Sequence, residues 1–181
     1  MGVNGVGVNT DVVAETERLR LRRLTAEDAG FVLELLNEPA FVRFIGDREV
    51  RTLEEARAYT VDVFAASYHL LGFGLYCVEV KSTGESAGLC GLVKREALRD
   101  VDVGFAFLER FWGLGYASEA AAAVLEHARH ELRLTRVVGV TAPDNDSSMA
   151  VLRKIGLKPA GAVKLPGYAV ERRLFTPDGA P

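Results

Sequence analysis

The chain is built from segments whose apolar residues recur with two different periods. Residues 17–24 alternate leucine with arginine, which is the period-two pattern of a strand that buries one face and leaves its arginines in solvent. Apolar side chains spaced by three and four residues over 25–36 and 52–69 predict two amphipathic helices. Both helices begin at a capping-box sequence, at Thr25 and at Thr52. The residues predicted to face inward in the second helix are Ala56, Tyr59, Val63 and Phe64.

Three strands joined by short polar turns follow these helices. Residues 72–81, 86–94 and 101–108 are rich in aromatic and β-branched side chains, which favour strands. Connections this short form antiparallel hairpins. The middle of the chain therefore predicts antiparallel sheet.

A long alanine-rich helix over 116–132 separates strand 101–108 from a nearly all-apolar strand over 135–141. Because a helix lies between these two strands, we expect them to run parallel. A short helix and two last strands complete the pattern, at 143–155, 157–163 and 168–176.

These elements predict a single domain over residues 17–176, of α+β class with three layers. One mixed, mostly antiparallel sheet of about seven strands is expected between four flanking helices. Residues 1–16 are rich in Gly, Val and Asn without a helical period, so we predict a flexible N-terminal arm, and 177–181 form a tail. The chain has 181 residues, of which 49% are apolar, and this suffices for a full core.

Charge and cysteine content narrow the possible functions. A net charge of −3 disfavours nucleic acid as a partner. No run of about 18 apolar residues is present, so no membrane span is predicted. Cys77 and Cys90 form no metal-binding pattern and are expected as buried thiols, in keeping with a reduced cytoplasmic compartment. The histidines have no metal-ligand spacing, so no metal site is predicted.

The stretch between strand 101–108 and the long helix is the clearest candidate for ligand binding. Gly113 and Gly115 are separated by one residue at the point where a strand gives way to a helix. Unpaired backbone N–H groups and the positive end of the helix dipole favour an anion there, most often a phosphate. Glycine also lets a ligand approach the backbone closely.

Taken alone, this stretch permits more than one interpretation. Residues 113–118 have the form GxGxxS, which is close to the dinucleotide fingerprint. That fingerprint follows its strand directly and belongs to repeated βαβ units, whereas here four residues intervene and hairpins precede. A glycine-containing turn without a ligand is the other alternative.

The pattern RxxGxGYA over 110–117 resembles the R/Q-x-x-G-x-G/A signature of the GNAT acetyltransferase superfamily. Longer blocks at 18–29, 111–120 and 143–156 are similar to its Rim-type branch, the ribosomal-protein N-terminal acetyltransferases, in order and spacing. The resemblance extends over residues 17–176. It implies a GNAT fold in which the parallel strands 101–108 and 135–141 splay apart. It also implies acetyl-CoA as the cofactor, CoA as the product and a primary amine as the acceptor.

The same resemblance implies the cofactor contacts. Backbone amides of the glycine stretch and of the helix start would hold the pyrophosphate, and the edge of strand 101–108 would pair with the pantetheine arm. Arg110 approaches a phosphate or is a surface arginine. The full set is Phe105, Ala106, Phe107, Arg110, Gly113, Leu114, Gly115, Tyr116, Ala117, Ser118 and Asn145.

Proton transfer has two principal candidates. The resemblance makes Ser148 the proton donor to the departing thiolate, but Asn145 as N-cap with Ser148 at N3 also fits simple helix capping. Asp102 is the candidate general base, at a position where relatives often carry the longer Glu, and Glu79 is a weaker candidate.

Two aspects of function stay open at this level. If neither carboxylate acts as a base, the chain is an acyl-CoA-binding sensor with a GNAT fold. The acceptor is a protein N-terminus, a polyamine or an amino sugar, and the protein is a monomer or a homodimer.

Overall fold

The computed structural model describes residues 12–181, so residues 1–11 of the predicted arm lie outside the described residues. Val12–Glu15 form an edge strand, β1, which pairs antiparallel with Leu19–Arg22, β2. The prediction of a flexible arm is therefore wrong for these four residues. Val13 and Ala14 pack against the core, and this burial stabilises a strand too short to show a period.

The predicted helices and strands follow one another in the predicted order, and the structure adds β1 and a short helix over residues 39–44 to them. The capping boxes at Thr25 and Thr52 are both present. No helix within residues 12–181 is long and apolar enough to cross a membrane. The helices are α1 (Ala29–Leu36), α2 (Pro39–Phe44), α3 (Leu53–Tyr59), α4 (Ala66–Leu71), α5 (Tyr116–His130) and α6 (Asp146–Lys154). The later strands are β3 (Leu75–Val80), β4 (Ser86–Val93), β5 (Val101–Phe107), β6 (Val137–Thr141), β7 (Lys158–Val163) and β8 (Arg172–Thr176).

Within residues 12–181 the strands form one eight-stranded sheet in the order β1-β2-β3-β4-β5-β6-β8-β7. All neighbours pair antiparallel except β5 and β6, which are parallel. This confirms the predicted α+β fold with its single parallel pair, with one strand more than the seven expected.

β5 and β6 stay paired over only three positions, from Val101 opposite Val137 to Val103 opposite Gly139. Beyond Val103, β5 follows β4 as far as Phe107, whereas β6 follows β8 as far as Thr141. The two strands therefore separate towards their carboxyl ends. We call the space between them the β5–β6 gap.

The sheet carries a helical layer on each face. α5 and α6 pack on one face, where Val103 of β5 joins the larger core cluster. α1, α3 and the π-helical segment cover the other face, and Leu98, Val138 and Leu165 form a small separate cluster. Since side chains alternate along a strand, Asp102 and Ala106 point to the face opposite Val103. We call this second side the α1–α4 face.

Two side-chain predictions are wrong. Arg22 is buried rather than solvated, because it pairs with Asp28 at 2.7 Å and with Glu79 at 2.7 Å. Val63 is 44% exposed. It lies in a π-helical segment, Thr60–Ala65, that joins α3 to α4. The wider π turn changes which side chains face inward, so that Thr60 is buried in addition to Phe64, whose burial was predicted.

Candidate active site

The glycine stretch forms a tight turn between β5 and α5. A short 3₁₀ segment, Glu109–Phe111, leads into it, and Gly113 and Gly115 have φ angles of 73° and 82°. A Cβ at Gly113 would meet nothing within 4 Å, and one at Gly115 would meet only an Arg18 nitrogen at 3.4 Å. Glycine is therefore required here by its left-handed backbone rather than by space alone. We call residues 113–115 the glycine turn.

Gly115 is the N-cap of α5. Because glycine has no side chain, the first amides of the helix have no side-chain cap. These amides belong to Tyr116, Ala117 and Ser118, and they have no carbonyl partner within the helix. The start of α5 can therefore donate several hydrogen bonds to one anion, as the sequence predicts.

The side chain of Arg18 contacts both the glycine turn and the first residue of α5. Its Nη1 donates to the carbonyl of Leu114 at 2.9 Å, and its guanidinium carbon lies 4.7 Å from the centre of the Tyr116 ring. Glu119 in turn accepts from Arg18 Nε at 2.7 Å and from the Thr16 hydroxyl at 2.6 Å. The turn is thus attached to β2 through a charged hydrogen-bond network.

A cavity of about 920 Å³ opens from the glycine turn into the β5–β6 gap and on to the α1–α4 face. Its lining includes most of the residues that the sequence predicts for the site. These are Asp102, Phe105, Ala106, Phe107, Gly113, Gly115, Tyr116, Ala117, Ser118, Asn145 and Ser148.

The gap edge of β5 exposes polar backbone. The amide of Leu108 donates to Ala87 on the β4 side at 3.0 Å, so by strand alternation Phe105 and Phe107 direct their N–H and C=O groups into the β5–β6 gap. The indole of Trp112 donates to the Phe107 carbonyl at 2.8 Å. This leaves the edge around Phe105 to pair with an extended ligand.

Two predicted cofactor residues lie apart from the cavity. Arg110 forms an ion pair with Glu34 of α1 and stacks on Phe111, with its guanidinium carbon 5.2 Å from the ring centre. This arrangement matches the surface-arginine alternative. The side chain of Leu114 is exposed, and its carbonyl is engaged by Arg18.

Asn145 and Ser148 meet at the start of α6. The side-chain oxygen of Asn145 accepts from the backbone amide of Ser148 at 3.1 Å, so the predicted N-cap is present. Both residues also line the cavity. Because the cap uses the amide of Ser148, its hydroxyl is not needed for capping.

Asp102 lies where β5 and β6 begin to separate, and its side chain is 1% exposed. One carboxylate oxygen accepts from Arg95 Nε at 2.7 Å, and the other accepts from the backbone amide of Val140 at 3.0 Å. Burial raises the pKa of Asp102 from 3.8 to about 6, against the opposing effects of Arg95 and of the Val140 amide. A carboxylate with this pKa is suited to accept a proton near neutral pH.

The weaker candidate base, Glu79, is engaged elsewhere. It accepts from Arg22 Nε at 2.7 Å on the neighbouring strands β2 and β3. It is not among the residues that line the cavity. In the part of the chain that the structure describes, no three His, Cys, Asp or Glu side chains are grouped so as to hold a metal ion.

Three of the cavity residues that were not predicted from the sequence are Arg95, Tyr168 and Arg172. Arg95 binds Asp102 from the β4–β5 connection, and Tyr168 and Arg172 stack on each other at the start of β8. Arg172 stands in an alternating strand pattern like any edge arginine, so nothing in the sequence marks it. Only the pairing of β8 with β6 brings it to the cavity.

The fold and the site together define a class of protein. A parallel pair that separates around a cavity, a positive-φ glycine turn that opens a helix and a buried carboxylate with a raised pKa are the features of a coenzyme A-dependent acyltransferase. The separated edge suits an extended arm, and the helix start suits a pyrophosphate.

Comparison with known proteins establishes the family. The model of the acetyltransferase (GNAT) domain matches residues 18–158, and the chain belongs to this family. It is therefore an acetyl-CoA-dependent N-acetyltransferase. YkkB of Bacillus subtilis is 30% identical over 154 residues, which cover 83% of this chain and 87% of that protein. The N-acetyltransferase YoaA of Bacillus subtilis is 27% identical over 153 residues, which cover 84% and 86%.

Solved structures agree in fold. RimL, a ribosomal L7/L12 alpha-N-protein acetyltransferase, superposes with a TM-score of 0.79 at 19% identity, over 97% of this chain and 98% of its own. Its complex with coenzyme A superposes with a TM-score of 0.71. The predicted resemblance to this superfamily, with RimL-like structural neighbours, is confirmed.

Proposed function

We propose that this acetyltransferase moves the acetyl group directly from acetyl-CoA to the primary amine of a protein N-terminus or of a small molecule. The observation that carries the proposal is the single cavity that joins the glycine turn, the β5–β6 gap and Asp102. Cofactor and acceptor can approach one another inside it from opposite sides of the sheet. We further propose the cytoplasm as the compartment.

The chain holds the cofactor through its backbone. The amides of Tyr116, Ala117 and Ser118 bind the pyrophosphate, and the Phe105 edge pairs with the pantetheine arm. Acetyl-CoA, when bound, supplies the acetyl group as a reactive thioester. A backbone N–H of the β5 edge donates to the carbonyl oxygen that gains negative charge.

Direct transfer is favoured by the state of the cysteines. Cys77 and Cys90 are both buried, and neither lines the cavity. Burial raises the pKa of Cys77 to about 12 and also raises that of Cys90. A neutral, buried thiol is a poor nucleophile, so neither cysteine is suited to carry the acetyl group.

Two side chains move the protons. Asp102 accepts a proton from the attacking amine, directly or through water, while Arg95 holds its carboxylate in place. The Ser148 hydroxyl donates a proton to the departing thiolate and regains one from solvent water. The pKa of the thiol, about 8.5 by analogy with cysteine, makes this requirement modest. Holding both substrates together supplies much of the remaining acceleration.

Two measurements on the wild-type protein test this scheme. Intact-mass analysis after incubation with acetyl-CoA alone is expected to find no acetyl group on the chain. Initial rates of CoA release with varied acetyl-CoA and amine are expected to give intersecting lines. An acetylated chain together with parallel lines contradicts direct transfer, and tight acetyl-CoA binding without turnover on any amine indicates the sensor.

A further inference from the structure

Of the arginines that line the cavity, Arg172 is the most deeply buried. Its side chain is 8% exposed, yet its Nε is buried without a hydrogen-bond partner among residues 12–181. It is one of the residues that line the cavity. A buried donor on a charged group is costly to leave unpaired, so an acceptor supplied by a ligand would stabilise this arrangement.

Within residues 12–181, the neighbours of Arg172 orient its guanidinium but form no ion pair with it. Its guanidinium carbon lies 3.8 Å from the centre of the Tyr168 ring, which fixes it by stacking. Arg172 makes the smallest contribution to the lowered pKa of Asp144, which is set mainly by the hydrogen bond from Arg43. Asp144 binds Arg43 at 2.8 Å. By contrast, Arg95, another arginine that lines the cavity, is paired with Asp102.

The position of Arg172 separates it from the pyrophosphate site. Leu174, two residues along β8, pairs with Val140, whose amide binds Asp102. Since side chains alternate, Arg172 shares the α1–α4 face with Asp102. The glycine turn leads into α5, which packs on the opposite face. Arg172 therefore lies on the side where the amine and its base meet.

We propose that Arg172 binds an oxyanion of the acceptor, so that the acceptor is a primary amine that also carries a carboxylate or a related acid group. This inference rests on the proposed acetyl transfer. A guanidinium binds a carboxylate through two parallel N–H bonds. Polyamines and amino sugars do not offer this group.

The rest of the cavity defines the remainder of the acceptor. The wall contributed by α1 to α4 is largely aliphatic and aromatic, which suits an apolar side chain. An amino acid with an apolar side chain combines the amine, the acid and the apolar group. The residues of this wall are Leu35, Phe41, Phe44, Ile45, Tyr59 and Phe64.

The kinetic test compares amines that differ only in the acid group. L-Phenylalanine is paired with 2-phenylethylamine and L-leucine with 3-methylbutylamine, and CoA release is followed for each. Arg172→Met is expected to lower kcat/KM for the amino acids roughly 10- to 100-fold, mainly through KM, with little effect on the matching amines that lack the carboxylate. Arg172→Lys is expected to restore part of the loss. Each amine is its own control across variants, so differences in amine pKa cancel.

The matched control is Arg173→Met. Arg173 is the next residue of β8, is exposed and points to the other face. This variant removes the same charge from the same strand and is expected to keep the preference for acids. Equal losses in the two variants would assign the effect to net charge and overturn the proposal.

Product binding gives a readout that needs no turnover. Trp112 is the one tryptophan of the sequence and lines the cavity, so its fluorescence reports occupancy. With CoA present, N-acetyl-L-phenylalanine is expected to bind at least about tenfold more tightly than N-acetyl-2-phenylethylamine, and Arg172→Met is expected to abolish the difference. Equal binding of the two compounds to the wild type overturns the proposal.

Acetyl-CoA titrations separate the remaining outcomes. Arg172→Met is expected to bind acetyl-CoA as the wild type does. A loss of acetyl-CoA affinity in this variant would assign Arg172 to cofactor binding. That result would overturn the inference about the acceptor but not the proposed function. Failure of the wild type to bind acetyl-CoA would instead overturn the proposed function.

Discussion

Glu119, in the first turn of α5, binds Arg18, which precedes β2, through both the side chain and the backbone of the arginine. Its Oε2 lies 2.7 Å from Arg18 Nε, and its Oε1 accepts from the Arg18 amide at 3.1 Å. Arg18 passes this restraint on to the Leu114 carbonyl. The conformation of the glycine turn therefore depends on a pair that lies outside the cavity.

Weakening this pair is expected to weaken cofactor binding without removing a cofactor contact. Glu119→Gln keeps the shape of the side chain and removes its charge, so Arg18 holds Leu114 less firmly. Because the pair is partly exposed, we expect about a 3- to 10-fold loss of acetyl-CoA affinity by calorimetry.

Glu126→Gln provides the control for this measurement. Glu126 lies on the same helix, and its ion pairs among residues 12–181 are with the exposed side chains of Arg129 and His130. It is expected to leave acetyl-CoA affinity unchanged. If the two variants bind acetyl-CoA equally well, the Arg18–Glu119 pair does not position the turn.

The pKa of Asp102 predicts the acid limb of the pH profile. Burial raises it to about 6, so below this pH the carboxyl is protonated and cannot accept a proton. Activity is therefore expected to rise with pH through about 6. Asp102→Asn should lose this limb and most of the activity, whereas any higher limb set by the amine of the acceptor should stay.

Rates at saturating acetyl-CoA between pH 5 and 8 check this expectation. Glu96→Gln removes an exposed acid near the same connection and is expected to keep the limb. A limb near pH 6 that persists unchanged in Asp102→Asn would show that another group titrates. The base would then have to be sought elsewhere in the cavity.

Ser148→Ala separates catalysis from helix capping. The cap uses the backbone amide of Ser148, so removing its hydroxyl is expected to leave the thermal midpoint nearly unchanged. As proton donor, its loss is expected to lower kcat at least about tenfold. Asn145→Ala, by comparison, removes the cap and is expected to cost about 1 kcal/mol of stability.

Thermal melts and turnover on the same preparations decide between the two roles. Ser147→Ala, at the exposed neighbouring position, is expected to change neither property. An unchanged kcat in Ser148→Ala would leave capping by Asn145 as the function of this motif.

Local sequence patterns account for most of the fold. The capping boxes at Thr25 and Thr52, the hairpin spacings and the crossover helix each depend on neighbouring residues, and each is present. The failures have tertiary causes. Val12–Glu15 become a strand only because β2 offers an edge, and Val63 is turned outward by a π-helical segment that no period reveals.

The glycine turn and the start of α5 were the most predictable part of the site, because they bind through the backbone. Gly113, Gly115 and the start of α5 are visible as a motif because their spacing sets the turn. The environment of Arg172 is set by the pairing of β8 with β6 and by burial, and neither can be predicted from the local sequence. Arg110 belongs to the same motif as the glycines but turns to Glu34, since a motif does not specify where a long side chain points.

The most direct test of the account is the acetyl-CoA affinity of Ser118→Asp. Ser118 is at the third position of α5, where a carboxylate favours the helix but repels a pyrophosphate. We expect calorimetry to show at least about a tenfold loss of affinity with an unchanged or higher thermal midpoint, whereas Ala122→Asp, exposed on the same helix, should bind normally. Wild-type affinity in a folded Ser118→Asp protein would contradict pyrophosphate binding at the start of α5.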